Sequence, residues 1–142
     1  MANFRSTQLA RLDLTPQTKL DSSYSEGKVR VKCFDWTGDA AQNDTVQMCT
    51  LPKGARILTG FIDFADYGTS ITLDIGDGTT DNKYGAAIDV ATAAGTSAFA
   101  NTYALYGMGR EALTSNITLT FTFEGGNPGS ARINGWIEYM VE

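Results

Sequence analysis

The stretch "ITLDIGDGTTDN", Ile71 to Asn82, sets three aspartates, Asp74, Asp77 and Asp81, at the end of an alternating apolar run. Carboxylate oxygens gathered this way are the hard ligands that calcium takes, roughly six to eight at a time. Three aspartates supply part of such a shell, and their spacing is not that of a helix-loop-helix calcium loop. The alternative use is a turn. Gly76 and Gly78 reach backbone conformations that other residues avoid, and the side chain of Asp77 can bond the backbone just beyond it. Alternation points Ile71, Leu73 and Ile75 inward and Thr72 and Asp74 toward solvent, so a structural turn is the expected role.

Two carboxylates drawn from Asp63, Asp74, Glu124 and Glu138 could hydrolyse a glycoside if suitably separated. Nothing in their spacing singles out one pair, and exposed strand carboxylates ordinarily keep a protein soluble. The chain has no histidine, which removes Ser-His-Asp and Cys-His catalysis and the usual zinc and iron ligand sets. The expectation is a non-enzymatic chain with no cofactor and no metal. Cys33 and Cys49 are too few for a disulfide framework and read as small buried thiols, a bridge between them being the lesser alternative.

Trp136 shares its phase with Arg132, Asn134 and Glu138, not with Ala131, Ile133, Ile137, Tyr139 and Val141. It therefore points outward. An outward tryptophan is a sugar-stacking platform, an anchor at a subunit interface, or a ring covered by a loop or by the chain's own arm. Tyr139 or nearby loop aromatics would share the first role.

These residues must be positioned by strands. The chain has 142 residues, 42% hydrophobic and 19% charged, with 15 glycines, which is a globular composition with enough turns for β architecture. "KVRVKCFD" alternates Val29, Val31 and Cys33 against Arg30, Lys32 and Phe34, followed by a loop at "WTGDAAQND". "TVQMCTL" alternates Val46, Met48 and Thr50 against Gln47, Cys49 and Leu51. "ARILTGFIDF" is apolar on both faces, Ile57 and Phe61 against Leu58, Ile62 and Phe64, which marks a central strand or an interface. The Ala, Gly and Thr-rich stretch from Asp81 to Ala112 shows no sustained period and reads as loop, with room for one short helical turn and one strand near Tyr103 to Leu105. "NITLTFTFEGG" is the clearest strand, and Gly125 to Gly129 should turn it into "SARINGWIEYMVE" as a hairpin. About seven short strands without a long helix give an all-β antiparallel sandwich over residues 28–142, with the jelly roll among its forms.

Residues 1–27 show neither period, and Thr15-Pro16 interrupts any helix. They read as an extended N-terminal arm whose apolar residues, Phe4, Leu9, Leu12, Leu14 and Leu20, are more than a solvated tail needs. Residues 1–32 hold six basic and three acidic residues, a net +3, and the remainder five basic and thirteen acidic, a net −8. An acidic body lacks the basic footprint that nucleic acid requires. No apolar stretch is long enough for a membrane-spanning helix, and "MANFRSTQLARLDL" contains no secretory-signal segment, so synthesis in a cytoplasm is expected. The arm's Arg5, Arg11 and Lys19 suit an acidic partner surface.

Read together, "CTLPKGARILTGFIDF", "ITLDIGDGTTDNKY" and "AIDVATAAGT", with a β-hairpin running to the C-terminus, resemble a group of small tailed-bacteriophage head proteins, the capsid decoration or cement proteins. The resemblance covers most of residues 45–142 and, more loosely, "MANFRSTQLARLD". It implies a non-enzymatic β-sandwich on the outer surface of the assembled head, with the major capsid protein as partner. It also implies a homo-oligomer, often a trimer, though a dimer would serve. The residues expected to touch partners are Phe4, Arg5, Leu9, Arg11, Leu12 and Leu14 of the arm, and Trp136. The resemblance assigns no role to "DVATAAGT", Cys33 or Cys49.

Overall fold

The computed structural model describes residues 28–91, 93–100 and 112–141. Its strands are β1 (Val29–Ala40), β2 (Thr45–Leu51), β3 (Ala55–Phe64), β4 (Thr72–Gly76), β5 (Gly85–Asp89), β6 (Gly95–Phe99), β7 (Ile117–Glu124) and β8 (Gly129–Val141). They form two four-stranded sheets, ordered β1-β8-β3-β6 and β2-β7-β4-β5, and every pairing is antiparallel. The all-β antiparallel sandwich expected from the alternation is therefore what forms. Every connection except β4 to β5 crosses from one sheet to the other.

Aromatic rings join the two layers. Phe121 of β7 meets Phe34 of β1 edge-on at 5.3 Å and Phe99 of β6 edge-on at 6.4 Å. Phe123 receives Tyr67 at 5.0 Å and Trp36 at 5.9 Å. Edge-to-face pairs add about 0.5–1.5 kcal/mol beyond the area they bury. Leu51, Ile62, Leu73, Ile75, Leu119, Ile133 and Ile137 fill the space around them and are fully buried.

Several expectations change in the folded chain. β7 and β8 do not form a hairpin: Gly125 to Pro128 carries the chain from the second sheet to the first, where β8 pairs with β1 and β3. A turn-rich link looks the same in sequence whether it reverses a strand within a sheet or passes between layers. β1 continues through "WTGDA" to Ala40, where a loop was expected, and the Phe34 face, not the valine face, is the inner one. Phe34 is buried, whereas Val29 and Val31 are 52% and 55% exposed. Phe34 and Trp36 carry more apolar area than the two valines and set the phase. Lys32 shares their face by running its stem inward and donating Nζ to the Thr50 carbonyl of β2.

In β3 the register shifts at Leu58, so Ile57 and Ile62 both face the core and Phe61 turns outward. In β2 a shift at Met48 puts Cys49 opposite Leu119. Such bulges add one residue and invert the alternation beyond them. β5 and β6 lie where a loop was expected, because neither Gly-Ala-Ala-Ile-Asp nor Gly-Thr-Ser-Ala-Phe alternates strongly. The arm, with Phe4, Arg5, Leu9, Arg11, Leu12 and Leu14, and the strand expected near Tyr103 to Leu105 lie outside the described residues.

Candidate functional site

The aspartate cluster resolves into a turn. Asp77 Oδ1 accepts the N–H groups of Thr79 and Thr80 at 2.9 and 2.8 Å, and Oδ2 accepts Lys83 Nζ at 2.8 Å. Burial pushes the Asp77 carboxyl up. The Lys83 ammonium and the two backbone donors outweigh that and hold it below the ordinary carboxylate range. Gly76 is required by its surroundings, since a Cβ there would stand 2.0 Å from the Thr80 carbonyl oxygen. Asp74 is buried, not solvated as expected. Its Oδ1 accepts the Ala87 N–H at 2.7 Å, fastening a register shift in β5 where Ala87 takes φ 49°. Asp81 is exposed. Among the described residues no three His, Cys, Asp or Glu side chains converge as a metal site.

The same turn covers part of the outer face of the second sheet. The outward threonines of the second sheet are largely taken up: Thr120 Oγ1 accepts Gly78 N–H at 3.2 Å, and Thr122 and Thr45 share a hydroxyl contact at 3.4 Å. Thr120 and Thr122 are buried.

The first sheet presents a more open face. Register sets Cys33 of β1 opposite Trp136 of β8, and Trp136 opposite Phe61 of β3, one row across three strands. The Phe61 and Trp136 rings stack at 5.6 Å with 17° between their planes. The next row holds Asp35, Asn134 and Asp63. Around these rows lies a shallow recess of about 520 Å³, lined by Cys33, Asp35, Phe61, Asp63, Asn134 and Trp136, with Gly135 between them. Val31 and Val29 prolong the apolar strip along β1 and are the exposed large hydrophobics among the described residues.

The polar groups of the recess are unevenly engaged. Arg132 Nε donates to Asp35 Oδ1 at 3.3 Å. The Asn134 amide nitrogen donates to the Asp63 carbonyl at 3.1 Å, and its oxygen accepts from Arg132 Nη2 at 2.9 Å. No described cation lies against the Asp63 carboxylate. What the recess still offers is an acceptor beside two aromatic rings.

Of the sequence candidates, Trp136 is outward, as its phase indicated, and is partly covered by Phe61. Tyr139 does not join it: that ring is buried on the inner face of β8. Asp63 and Glu138 share the outer face of the first sheet, separated by the Trp136 row, while Asp74 and Glu124 belong to the second sheet. The four acids are not brought together. Cys33 and Cys49 are free, and the expectation of two buried thiols fails at Cys33, which is exposed. Burial raises the Cys49 thiol, with Lys32 opposing the shift. The sequence does not mark Phe61 and Asp35 as site residues, since the shift at Leu58 inverts the face of Phe61 and the row alignment is set by long-range pairing.

No family model matches the chain, and no curated protein does. Among solved structures it is similar to a chain in the capsid of Ralstonia phage GP4, with a TM-score of 0.67 and 23% identity over 82% of this chain and 86% of that one. A chain of the cyanophage Pam1 capsid asymmetric unit gives a TM-score of 0.61 at 17% identity, covering 82% and 86%. A chain of the acid-stable capsid of Helicobacter pylori bacteriophage KHP30 gives 0.53 at 14%, covering 80% and 87%. At these identities the likeness shows a shared fold.

Proposed function

We propose that the protein is a structural component of a tailed-phage virion, a decoration or cement subunit that binds the outer surface of the assembled head and stabilises it without catalysis. The observation that carries this is the likeness to chains of three phage capsids over 80–82% of the protein. The aligned share of each matched chain is slightly larger, 86–87%, so the matched capsid chains are of similar size. One sandwich of that size suits an accessory on a shell. The sheet orders β1-β8-β3-β6 and β2-β7-β4-β5 are compatible with the jelly-roll form found in viral capsid domains, which supports the same reading. The net −8 after residue 32 favours the outside of the shell over contact with packaged nucleic acid.

In this proposal the sandwich forms a homo-oligomer, a trimer, and the arm reaches adjacent subunits, among them the major capsid protein. Burying Phe4, Leu9, Leu12, Leu14 and Leu20 would gain less than ordering the arm's backbone costs. The arm therefore depends on main-chain pairing with a partner and on several arms acting from one oligomer.

Deleting residues 1–20 tests this. The shortened chain should keep the circular dichroism of a β protein but lose co-sedimentation with heads of the parent phage stripped of this protein, its affinity falling on the order of 100-fold. Unchanged binding would reject the role of the arm.

A further inference from the structure

The Trp136 recess has a chemistry that the proposed role does not by itself assign. Its aromatic walls are Phe61 and Trp136, stacked at 5.6 Å. Its donors are partly engaged: one amide N–H of Asn134 goes to the Asp63 carbonyl, and two of the five N–H groups of Arg132 go to Asp35 and the Asn134 oxygen. The Asp63 carboxylate, one row from the rings, is left without a described cation. A sugar hydroxyl is donor and acceptor at once and is best met by both kinds of group. A guanidinium has donors only, is weakly hydrated, stacks on aromatic faces and binds carboxylates with two parallel hydrogen bonds.

We infer that this recess receives an arginine of the N-terminal arm of a neighbouring copy, from the segment Phe4 to Leu14. That segment supplies the complementary groups: Arg5 follows Phe4, and Arg11 stands between Leu9 and Leu12. Apolar neighbours of the arginine would lie along Cys33, Val31 and Val29, the exposed strip beside the rings. The chain before Lys28 is 27 residues long, and fully extended it spans up to about 90 Å, ample to reach another subunit. The inference rests on the arm's partner-seeking role and names where it lands within the oligomer.

Cys33 provides the test because it lines the recess and is exposed. In the full chain carrying Cys49→Ser, a second cysteine is placed beside either arginine, as Ser6→Cys or Ala10→Cys, and mild oxidation is followed by non-reducing electrophoresis and peptide mapping. Expected is a disulfide between the arm cysteine and Cys33 that joins separate chains, abolished by Cys33→Ser. Asp63→Asn and Trp136→Ala should each slow it by about tenfold or more, the scale of a lost guanidinium contact. Circular dichroism would verify that these outward substitutions leave the sandwich folded. Linkage within one chain, no linkage to Cys33, or linkage indifferent to Asp63 and Trp136 would each overturn the inference. So would Trp136-dependent binding on a glycan array in the absence of linkage. Because the measurement uses no capsids, it can fail while head binding by the full chain stands.

Discussion

At the scale of single residues, the same side-chain type serves opposite ends according to what surrounds it. Asp63 is an exposed carboxylate with no described cation, whereas Asp77 is spent on holding one turn. That turn also lies over Thr120 on the outer face of the second sheet, through the Gly78 N–H. Its loss would therefore reach beyond the loop. Asp77→Ala should lower stability by about 1–3 kcal/mol, the cost of leaving charge-assisted partners unmet, tempered by the exposure of Lys83. For a domain of this size that is a fall of roughly 3–10 °C in the melting temperature. The sign of the pH dependence follows from the lowered carboxyl. Stability from Asp77 is fully present above the ordinary carboxylate range, where the group is ionised in both folded and unfolded chains. It is lost as pH falls through the folded-state value. Thermal melts of wild type and variant should thus differ at neutral pH and converge in acid; a gap that persists in acid would show that the side chain acts by packing and not by charge.

At the scale of elements, what the sequence revealed depended on whether a strand's alternation ran unbroken. β7 was legible because Leu119, Phe121 and Phe123 alternate with threonines over its full length, and β8 because its apolar set kept one phase around an outward Trp136. β3 was legible as a central strand but not as to its faces, because the shift at Leu58 depends on how β8 lies beside it. That one displaced residue hid Phe61, and with it the stacked pair on which the candidate site is built. β5 and β6 were missed because small residues give little hydrophobic contrast, and the β7–β8 link was misassigned because no local signal distinguishes a hairpin from a crossing between sheets. Close strand approach can be tested where the recess is floored. A Cβ on Gly135 would stand 2.0 Å from the Phe61 carbonyl oxygen, a backbone atom that cannot swing aside. Gly135→Ala should force β3 and β8 apart, at a cost on the order of 1–3 kcal/mol. In a denaturant titration its midpoint should move to lower concentration with the slope unchanged. A midpoint like that of wild type would mean that the two strands are more loosely paired than the register implies.

At the scale of the whole molecule, the two outer faces of the sandwich are unequal, and that inequality is what an assembly subunit needs. One sheet is covered in part by its own turn; the other carries an aromatic row, two exposed valines and a carboxylate with no described cation. A patch of this kind, left bare, promotes association, so the protein should not be monomeric. Geometry narrows the choice of oligomer. If the arm of one copy seats on the recess of the next, donor and acceptor surfaces differ, and such head-to-tail contacts close only as a ring or continue as a filament. A ring of three is the smallest closed solution in which every recess is filled by a different neighbour and no two copies exchange arms. On the proposed role, such a ring would also offer the shell three attachments whose effective concentrations reinforce one another. Size exclusion with light scattering on the full chain should therefore give one discrete species of about three times the 15.3 kDa protomer, unchanged over a wide dilution range. A monomer would remove the cooperative basis for head binding. A dimer would mean that the arms are exchanged reciprocally about a twofold axis, and an open distribution of masses would mean that the ring does not close without the shell beneath it.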